Sequence, residues 1–116
     1  MRCRPRNPPL IGLTLYYPAI VTEYRINLAE IRSFADFVAA FNAGMIDSVG
    51  GHWNGNVDAF NDYLSWPEDE AYRLVLVGWE RCAKVLDQTT ASGDRPMLQV
   101  IREIFTANPH VTVCYA

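Results

Sequence analysis

The segment Tyr72 to Val77 constrains the fold more than any other part of the chain. Its sequence, Tyr-Arg-Leu-Val-Leu-Val, is a nearly continuous apolar run without the two-residue alternation of a half-exposed strand. A strand that is buried on both faces has this pattern, and such strands belong to parallel sheets that helices cover. Further strands are predicted over 20–27 and 110–115. Strands that alternate with helices predict an α/β fold with right-handed crossovers.

The helical segments are indicated by apolar spacing and by end signals. The first begins at Ser33, with Asp36 placed as in a capping box, and is expected to stop near Asn42 and Gly44. Its aromatic stripe is assigned to the core because the spacing is helical. The other helices are predicted over 57–64, 79–86 and 96–107, the last with Pro96 at its start.

The length of 116 residues, half of them hydrophobic, suits one domain with its own core. Residues 1–19 are expected to form an N-terminal extension, since 1–9 are rich in arginine and proline. Within it, the strand-forming run 10–17 can add an edge strand ahead of the main fold. Residues 20–116 make up the domain itself.

The charge of the chain is distributed unevenly. The net charge is −3, and no Lys or Arg occurs between Arg32 and Arg73, an interval that holds seven Asp and Glu residues. A region of one sign repels nucleic acid and attracts cationic surfaces. The more common interpretation of such a run is a solvated acidic face. Neither nucleic-acid binding nor membrane association is expected.

A glycine-broken loop over 51–56 leads directly into a short amphipathic helix. Val57, Phe60 and Leu64 share the apolar face of this helix by their spacing. The opposite face is polar and carries two aspartates at i and i+4. Its residues are Asp58, Asn61, Asp62 and Ser65. On the last helix, Glu103 is an exposed carboxylate by the same periodicity and is available to join this face.

Catalytic and metal-binding interpretations find little support. Asp58, Asp62, Glu103 and His52 are oxygen and nitrogen donors that suit acid–base work or a divalent metal. However, an aspartate pair at i and i+4 is common on any exposed helix, and no DxDxDG loop, HExxH, GxSxG or P-loop accompanies it. No catalytic residue, metal ion or cofactor is therefore expected.

The three cysteines and the hydropathy bear on the compartment. Cys3, Cys82 and Cys114 are odd in number, widely spaced and without a CxxC, so neither a disulfide framework nor a zinc site is indicated. No apolar stretch reaches the length of a membrane span or has the form of a secretory signal. A reducing, cytoplasmic location is the expectation.

The loop and helix over 53–64, Trp-Asn-Gly-Asn-Val-Asp-Ala-Phe-Asn-Asp-Tyr-Leu, resemble the hallmark segment of the barstar-like ribonuclease inhibitors. Residues 31–36 resemble the entry to the family's first helix, 74–76 its buried strand and 100–103 its final helix, so the resemblance spans about 20–116. It implies a three-stranded parallel sheet packed against helices. It also implies an intracellular immunity protein of bacterial type that binds one-to-one to a basic ribonuclease or toxin nuclease domain.

The resemblance further implies roles for individual residues. Asp62 takes the place of the substrate phosphate among the basic side chains of the nuclease, and Asp58 supports it. Glu103 is a further interface carboxylate. The remaining partner-binding positions are His52, Trp53, Asn56, Asn61, Ser65 and Trp66, of which the two asparagines and the histidine match contact or loop-shaping positions of the family. His52 and Asn61 stand where the family has aromatic residues, and the loop glycine, Gly55, comes one place later than usual.

Three hypotheses follow. The first is an inhibitor that neutralises a cationic nuclease by steric and electrostatic blockade. The second is a barstar-like interaction module for another basic protein, such as a non-nuclease toxin, because His52 and Asn61 change the contact surface. The third is a small carboxylate-dependent enzyme, which the missing catalytic motifs disfavour.

Overall fold

The computed structural model describes residues 22–68 and 71–116 and contains a three-stranded parallel sheet. The strands are β1 (Thr22–Asn27), β2 (Tyr72–Val77) and β3 (Val111–Tyr115), and β2 lies in the centre. Both pairings are parallel. The predicted α/β architecture with a small parallel sheet is confirmed. The predicted N-terminal extension (1–19) and the edge strand predicted within it (10–17) lie outside the described residues.

The central strand owes its position to its apolar sequence. Tyr72, Leu74 and Leu76 point to the main core and are almost completely buried. Val75, on the opposite face, is buried as well. A strand without alternation therefore forms the middle of the sheet, with one face fully buried and the other only partly exposed.

Helix α1 (Phe34–Phe41) begins as its capping signal predicts. The Ser33 side chain accepts a hydrogen bond from the backbone N–H of Asp36, at 3.2 Å. The Asp36 carboxylate in turn accepts from the backbone N–H of Arg32, at 2.8 Å. These bonds satisfy two donors that would otherwise lack partners at the start of the helix.

Helix α1 ends at Phe41 with Asn42 as its C-cap, in agreement with the predicted end near Asn42 and Gly44, but Gly44 is not where the helical path of the chain stops. The chain continues through a π-helical turn (Asn42–Ile46) and a 3₁₀ turn (Asp47–Val49), and stops at Gly50, whose φ is +92°. Gly44 serves close packing, because a Cβ there would lie 2.7 Å from the backbone oxygen of Arg25. Contact with β1 therefore explains this glycine, and Gly50 supplies the left-handed stop.

Three more α-helices complete the described fold: α2 (Val57–Tyr63), α3 (Trp79–Asp87) and α4 (Met97–Ala107). Their bounds agree with the predictions to within a residue or two, and Pro96 precedes the first residue of α4 as its N-cap. Helix α4 contacts both α2 and α3, while α1 packs against α3 and β1. An aromatic cluster fills the core beneath α2: Phe37, Phe41, Trp53, Phe60 and Phe105.

The helices and the cysteines bear on the expected cytoplasmic location. Over 22–68 and 71–116, no helix is long and apolar enough to cross a membrane. Cys82 is a buried free thiol, and burial raises its pKa to about 12. Cys114 is disulfide-bonded, which differs from the expectation that the cysteines are reduced.

Candidate protein-interaction site

Trp53 anchors the loop that precedes α2. Its side chain is only 1% exposed and stacks on Phe60, with ring centroids 4.6 Å apart. The indole N–H donates to the backbone oxygen of Asn56, at 2.8 Å. The resemblance predicts Trp53 as a partner-binding residue, whereas the structure buries its side chain beneath the loop. It fixes the loop from below instead of presenting its ring to a partner.

Asn42 holds the same loop through its side chain. Its Oδ1 accepts from the backbone N–H of Trp53, at 2.7 Å, and its Nδ2 donates to the backbone oxygen of Trp53, at 2.9 Å. Asn42 is 5% exposed, so both bonds lie in a buried environment. Sequence analysis assigned Asn42 only to a helix end. The loop is thus fastened to the π-helical turn after α1 by two bonds that water cannot easily replace.

Asn56 caps α2. Its side-chain oxygen accepts from the backbone N–H groups of Asp58, at 2.8 Å, and Ala59, at 3.0 Å. This arrangement satisfies two donors in the first helical turn and fixes the direction in which the helix starts. The Asn56 side chain is therefore engaged in shaping the site.

The exposed side of α2 carries two aspartates without partners. Asp58 and Asp62 are both exposed, and neither carboxylate forms a hydrogen bond or an ion pair with another described residue. They are four residues apart and so lie on one side of the helix. Their negative charges are consequently free to meet an external cation.

Helix α4 brings Glu103 to the same surface. An open groove runs between α2 and α4, and both Asp58 and Glu103 line it. Its remaining lining residues are Val57, Asn61, Val100, Ile104 and Ala107. Glu103 therefore shares one groove with Asp58 and Asn61, whereas Asp62 does not line it. We refer to Asp58, Asn61, Asp62 and Glu103 together as the acidic platform.

Glu103, unlike the aspartates, is already paired. Its carboxylate forms an ion pair with the guanidinium of Arg95, and Nε2 of Gln99 lies 3.3 Å from its second oxygen. The hydrogen bond from Arg95 is the main cause that lowers the pKa of Glu103 below its ordinary value. Arg95 did not emerge from sequence analysis, because it precedes α4 and shares no helical face with Glu103.

Asn61 ties the platform to the end of α4. Its side-chain oxygen accepts from Nδ2 of Asn108, at 2.7 Å. The same nitrogen donates to the backbone oxygen of Ile104, at 2.8 Å. Asn108 is 7% exposed, so the link between the helices is partly sheltered from water. No motif or spacing in the sequence indicates this role of Asn108.

The end of α2 leads to an exposed aromatic side chain. Ser65 is exposed, and Trp66 retains 47% exposure while its ring lies 4.7 Å from that of Tyr63. Trp66 is the one large hydrophobic side chain exposed among the described residues. The backbone oxygen of Leu64 is held by the Tyr72 hydroxyl at 2.6 Å. The segment 65–66 therefore starts from a helix end whose position is fixed.

His52 occupies the opposite end of the loop. Its side chain is exposed, and Nδ1 lies 2.9 Å from a carboxylate oxygen of Asp47. The Tyr63 hydroxyl donates to the backbone oxygen of His52, at 3.0 Å. The imidazole therefore lies beside the 3₁₀ turn that precedes the loop, and it does not line the groove of the acidic platform.

The donors do not form a metal centre in the described part of the chain. No group of three or more His, Cys, Asp or Glu side chains is arranged there to hold a metal ion. What the geometry presents is a polar, negatively charged helix side flanked by Trp66 and by the apolar residues of the groove. Such a surface suits recognition of a cationic protein.

The sequence matches no protein-family model, and it matches no curated protein. The resemblance to the barstar-like inhibitors accordingly rests on residues 53–64 and on the shorter segments named with them. The three-stranded parallel sheet packed against helices is consistent with the arrangement that the resemblance implies.

Proposed function

We propose that this protein is a barstar-like inhibitor, an immunity protein that binds a cationic ribonuclease or toxin nuclease domain and blocks its active site. The observation that carries the proposal is the pair of carboxylates, Asp58 and Asp62, that have no partner among the described residues and lie on a helix with a fixed start and end. Inhibition by occupation of a cleft requires no reaction, so the protein acts without catalytic residues, metal or cofactor of its own.

The chemistry of ribonucleases explains why carboxylates suit this task. An enzyme that cleaves RNA surrounds the phosphate with basic side chains. A carboxylate placed there accepts the same charge-assisted hydrogen bonds, which are shorter and stronger than neutral ones. Asp62 takes the phosphate position in this proposal, and Asp58 contacts basic groups at the rim of the cleft.

Rigidity increases the affinity that such contacts give. The loop before α2 is held by the buried Trp53 and Asn42, and the start of α2 is capped by Asn56. A surface that is already in its binding conformation loses little conformational entropy on association. Trp66, exposed at the end of α2, supplies an apolar anchor of the kind found at the energetic centre of interfaces.

Long-range electrostatic attraction raises the rate of association with a basic partner. Sequence positions 33–72 contain no Lys or Arg, so the field around α2 is negative and steers a basic partner toward it. The rate of association should fall as salt is added, because exposed charges are screened over about 8–10 Å at moderate ionic strength. A cell that makes a toxic nuclease requires such a protector in its cytoplasm.

A second candidate function is an interaction module for another basic protein, such as a non-nuclease toxin. Two residues that depart from the family pattern are engaged within the chain, His52 with Asp47 and Asn61 with Asn108. The contact surface at these positions therefore differs from that of an inhibitor with aromatic residues there. This candidate keeps the acidic platform and changes the partner.

The first prediction tests the inhibitor directly. The chain is mixed with a panel of small basic ribonucleases, including any encoded beside its gene, and both binding and RNA cleavage are measured. One-to-one binding and loss of cleavage are expected. Asp62→Ala should weaken binding at least about thirtyfold, which corresponds to about 2 kcal/mol, because a central charged contact is lost.

Glu80→Ala is the matched control, since it removes one negative charge from the exposed start of α3, outside the acidic platform. It should change binding only through the weaker long-range field. Failure to bind any basic nuclease would contradict the inhibitor hypothesis. Binding to a basic protein without loss of RNA cleavage would favour the interaction module.

A further inference from the structure

The loop between α3 and α4 holds Arg95 in a fixed position. Thr90 and Pro96 form an isolated antiparallel bridge, and the backbone N–H of Ala91 donates to the backbone oxygen of Arg95, at 2.7 Å. Between them the chain turns through two left-handed residues, Gly93 with φ +78° and Asp94 with φ +61°. Aspartate is among the residues that tolerate this conformation. Arg95 therefore leaves a closed loop directly before the first turn of α4.

From this position Arg95 reaches the acidic platform of its own chain. Its guanidinium contacts one oxygen of Glu103, and Gln99 contacts the other. The side chains of Arg95 and Glu103 remain 42% and 56% exposed. The pair is thus accessible to a partner, yet both carboxylate oxygens are occupied in the free protein. Asp58 and Asp62 have no such contacts among the described residues.

We propose that Arg95 is an intramolecular competitor for the partner's basic group at Glu103 and thereby limits how strongly this carboxylate contributes to binding. The inference rests on the proposed function, since it concerns the same acidic platform. A partner cation that approaches Glu103 must displace the guanidinium of Arg95. One ion pair then replaces another of similar strength, so the exchange adds little net affinity.

Arg95 therefore divides the acidic platform into two parts. The aspartates of α2 bind any basic group of suitable geometry. Glu103 binds only a group that makes better contacts than Arg95 does, such as a guanidinium with two parallel hydrogen bonds to the carboxylate. Arg95 is in this sense a specificity-determining residue, although it need not contact the partner.

The test uses hexa-arginine peptide as a probe that does not depend on the identity of the partner. Binding is measured by titration calorimetry at low salt for the wild type, Arg95→Gln and Arg102→Gln. Both variants make the same change in net charge, but Arg102, which lies on α4 next to Glu103 in sequence, forms no ion pair with Glu103. Arg95→Gln should bind about two- to fivefold more tightly than Arg102→Gln, the range expected when an exposed ion pair no longer competes.

Two further variants show whether the gain passes through Glu103. Arg95→Lys keeps the positive charge and should return the affinity toward that of the wild type. In an Arg95→Gln/Glu103→Gln double variant the gain should disappear. The titration of the Glu103 carboxyl carbon, followed by NMR, should move to a higher pKa in Arg95→Gln, which a merely structural role of Arg95 at a distance would not cause.

The inference is overturned if Arg95→Gln binds hexa-arginine no better than Arg102→Gln, or binds it less tightly than the wild type. The second result would assign Arg95 to holding Glu103 in place for the partner. A nuclease identified as above is then tested with the same variants. The outcome with hexa-arginine stands when no nuclease is bound, so failure of the proposed function and failure of this inference are distinguishable.

Discussion

The acidic platform takes its carboxylates from two regions that hold them in different ways. In the α2 region, Asp58 and Asp62 have no partner among the described residues, and the backbone beneath them is fixed by buried side chains. In the α4 region, the carboxylate of Glu103 is itself fixed, by Arg95 and Gln99. One region immobilises the backbone and leaves the charge free, while the other compensates the charge.

This difference indicates how each region serves recognition. A free carboxylate on a rigid backbone gains most from an external cation, because nothing has to be displaced and little order has to be created. A carboxylate that already has an internal partner gains less binding free energy from an external cation, and it discriminates more strongly between cations. The α2 region should therefore dominate affinity, and it should depend on the core beneath it more strongly than the α4 region does.

The largest expected effect comes from removing the anchor of the α2 region. Trp53→Ala deletes a ring that is 1% exposed and stacked on Phe60, and it should lower the free energy of unfolding by about 3–5 kcal/mol. Trp66→Ala is the matched control, since Trp66 is 47% exposed and packs on Tyr63. Trp66→Ala should lower the free energy of unfolding by about 0.5–1.5 kcal/mol, the contribution of one aromatic pair.

Urea unfolding followed by circular dichroism measures both variants. The two tryptophans should separate in function as well, because Trp66→Ala is expected to weaken partner binding while leaving the fold in place. Equal losses of stability for the two variants would show that the loop is not held by the core, and the comparison between the regions would fail.

The next effect concerns Asn42, the side chain that fastens the loop to the turn after α1. Asn42→Ala leaves the backbone N–H and C=O of Trp53 without their partners in a buried environment. Each unsatisfied group costs about 1–3 kcal/mol. The amide of Trp53 should exchange with solvent much faster in this variant, as measured by hydrogen exchange and NMR.

Asn108→Ala provides the comparison for this variant. Its amide donates to the side-chain oxygen of Asn61, an exposed residue that can bond to water instead, and to the backbone oxygen of Ile104. The loss of stability should be about 1–2 kcal/mol, as for one or two typical hydrogen bonds. Unchanged protection of the Trp53 amide in Asn42→Ala would contradict the assigned role of Asn42.

Local sequence signals predicted the parts of the fold that local physics decides. The unbroken apolar run of β2 and the Ser33 cap of α1 each depend on neighbouring residues, and each appears where the sequence places it. Gly44 shows the limit of such signals. Its small size is required by the backbone of Arg25, a contact between segments that no local pattern reveals.

The residues of the candidate site also fall into two groups, those that local sequence patterns predict and those that depend on contacts between distant segments. The shared side of Asp58 and Asp62 follows from helical periodicity and was predictable. The burial of Trp53 was not, because a tryptophan in a loop has no period that assigns it to the core. Asn42 and Asn108 act across 11 and 47 residues of sequence, where the chain gives no spacing rule. Arg95 depends in addition on the closed loop that carries it.

The smallest expected effect concerns the pH dependence of the α4 region. Arg95 lowers the pKa of Glu103 in the folded protein, whereas an unfolded glutamate titrates near about 4.3. The stability that the pair contributes is therefore fully present above about pH 4.3, and it is lost as the pH falls through the lower, folded pKa. Because both side chains are largely exposed, the effect should be small: the loss of stability at acid pH becomes only slightly steeper.

Thermal unfolding midpoints across this acid range measure the effect. The difference between wild type and Arg95→Gln should shrink as Glu103 becomes protonated, since the carboxylate then has no charge to pair. The difference between wild type and Arg102→Gln should show no such change from Glu103, because Arg102 does not pair with it. If the Arg95→Gln difference persists unchanged at low pH, Arg95 stabilises the loop before α4 by other contacts. The contrast between a free and a compensated carboxylate then loses its electrostatic basis.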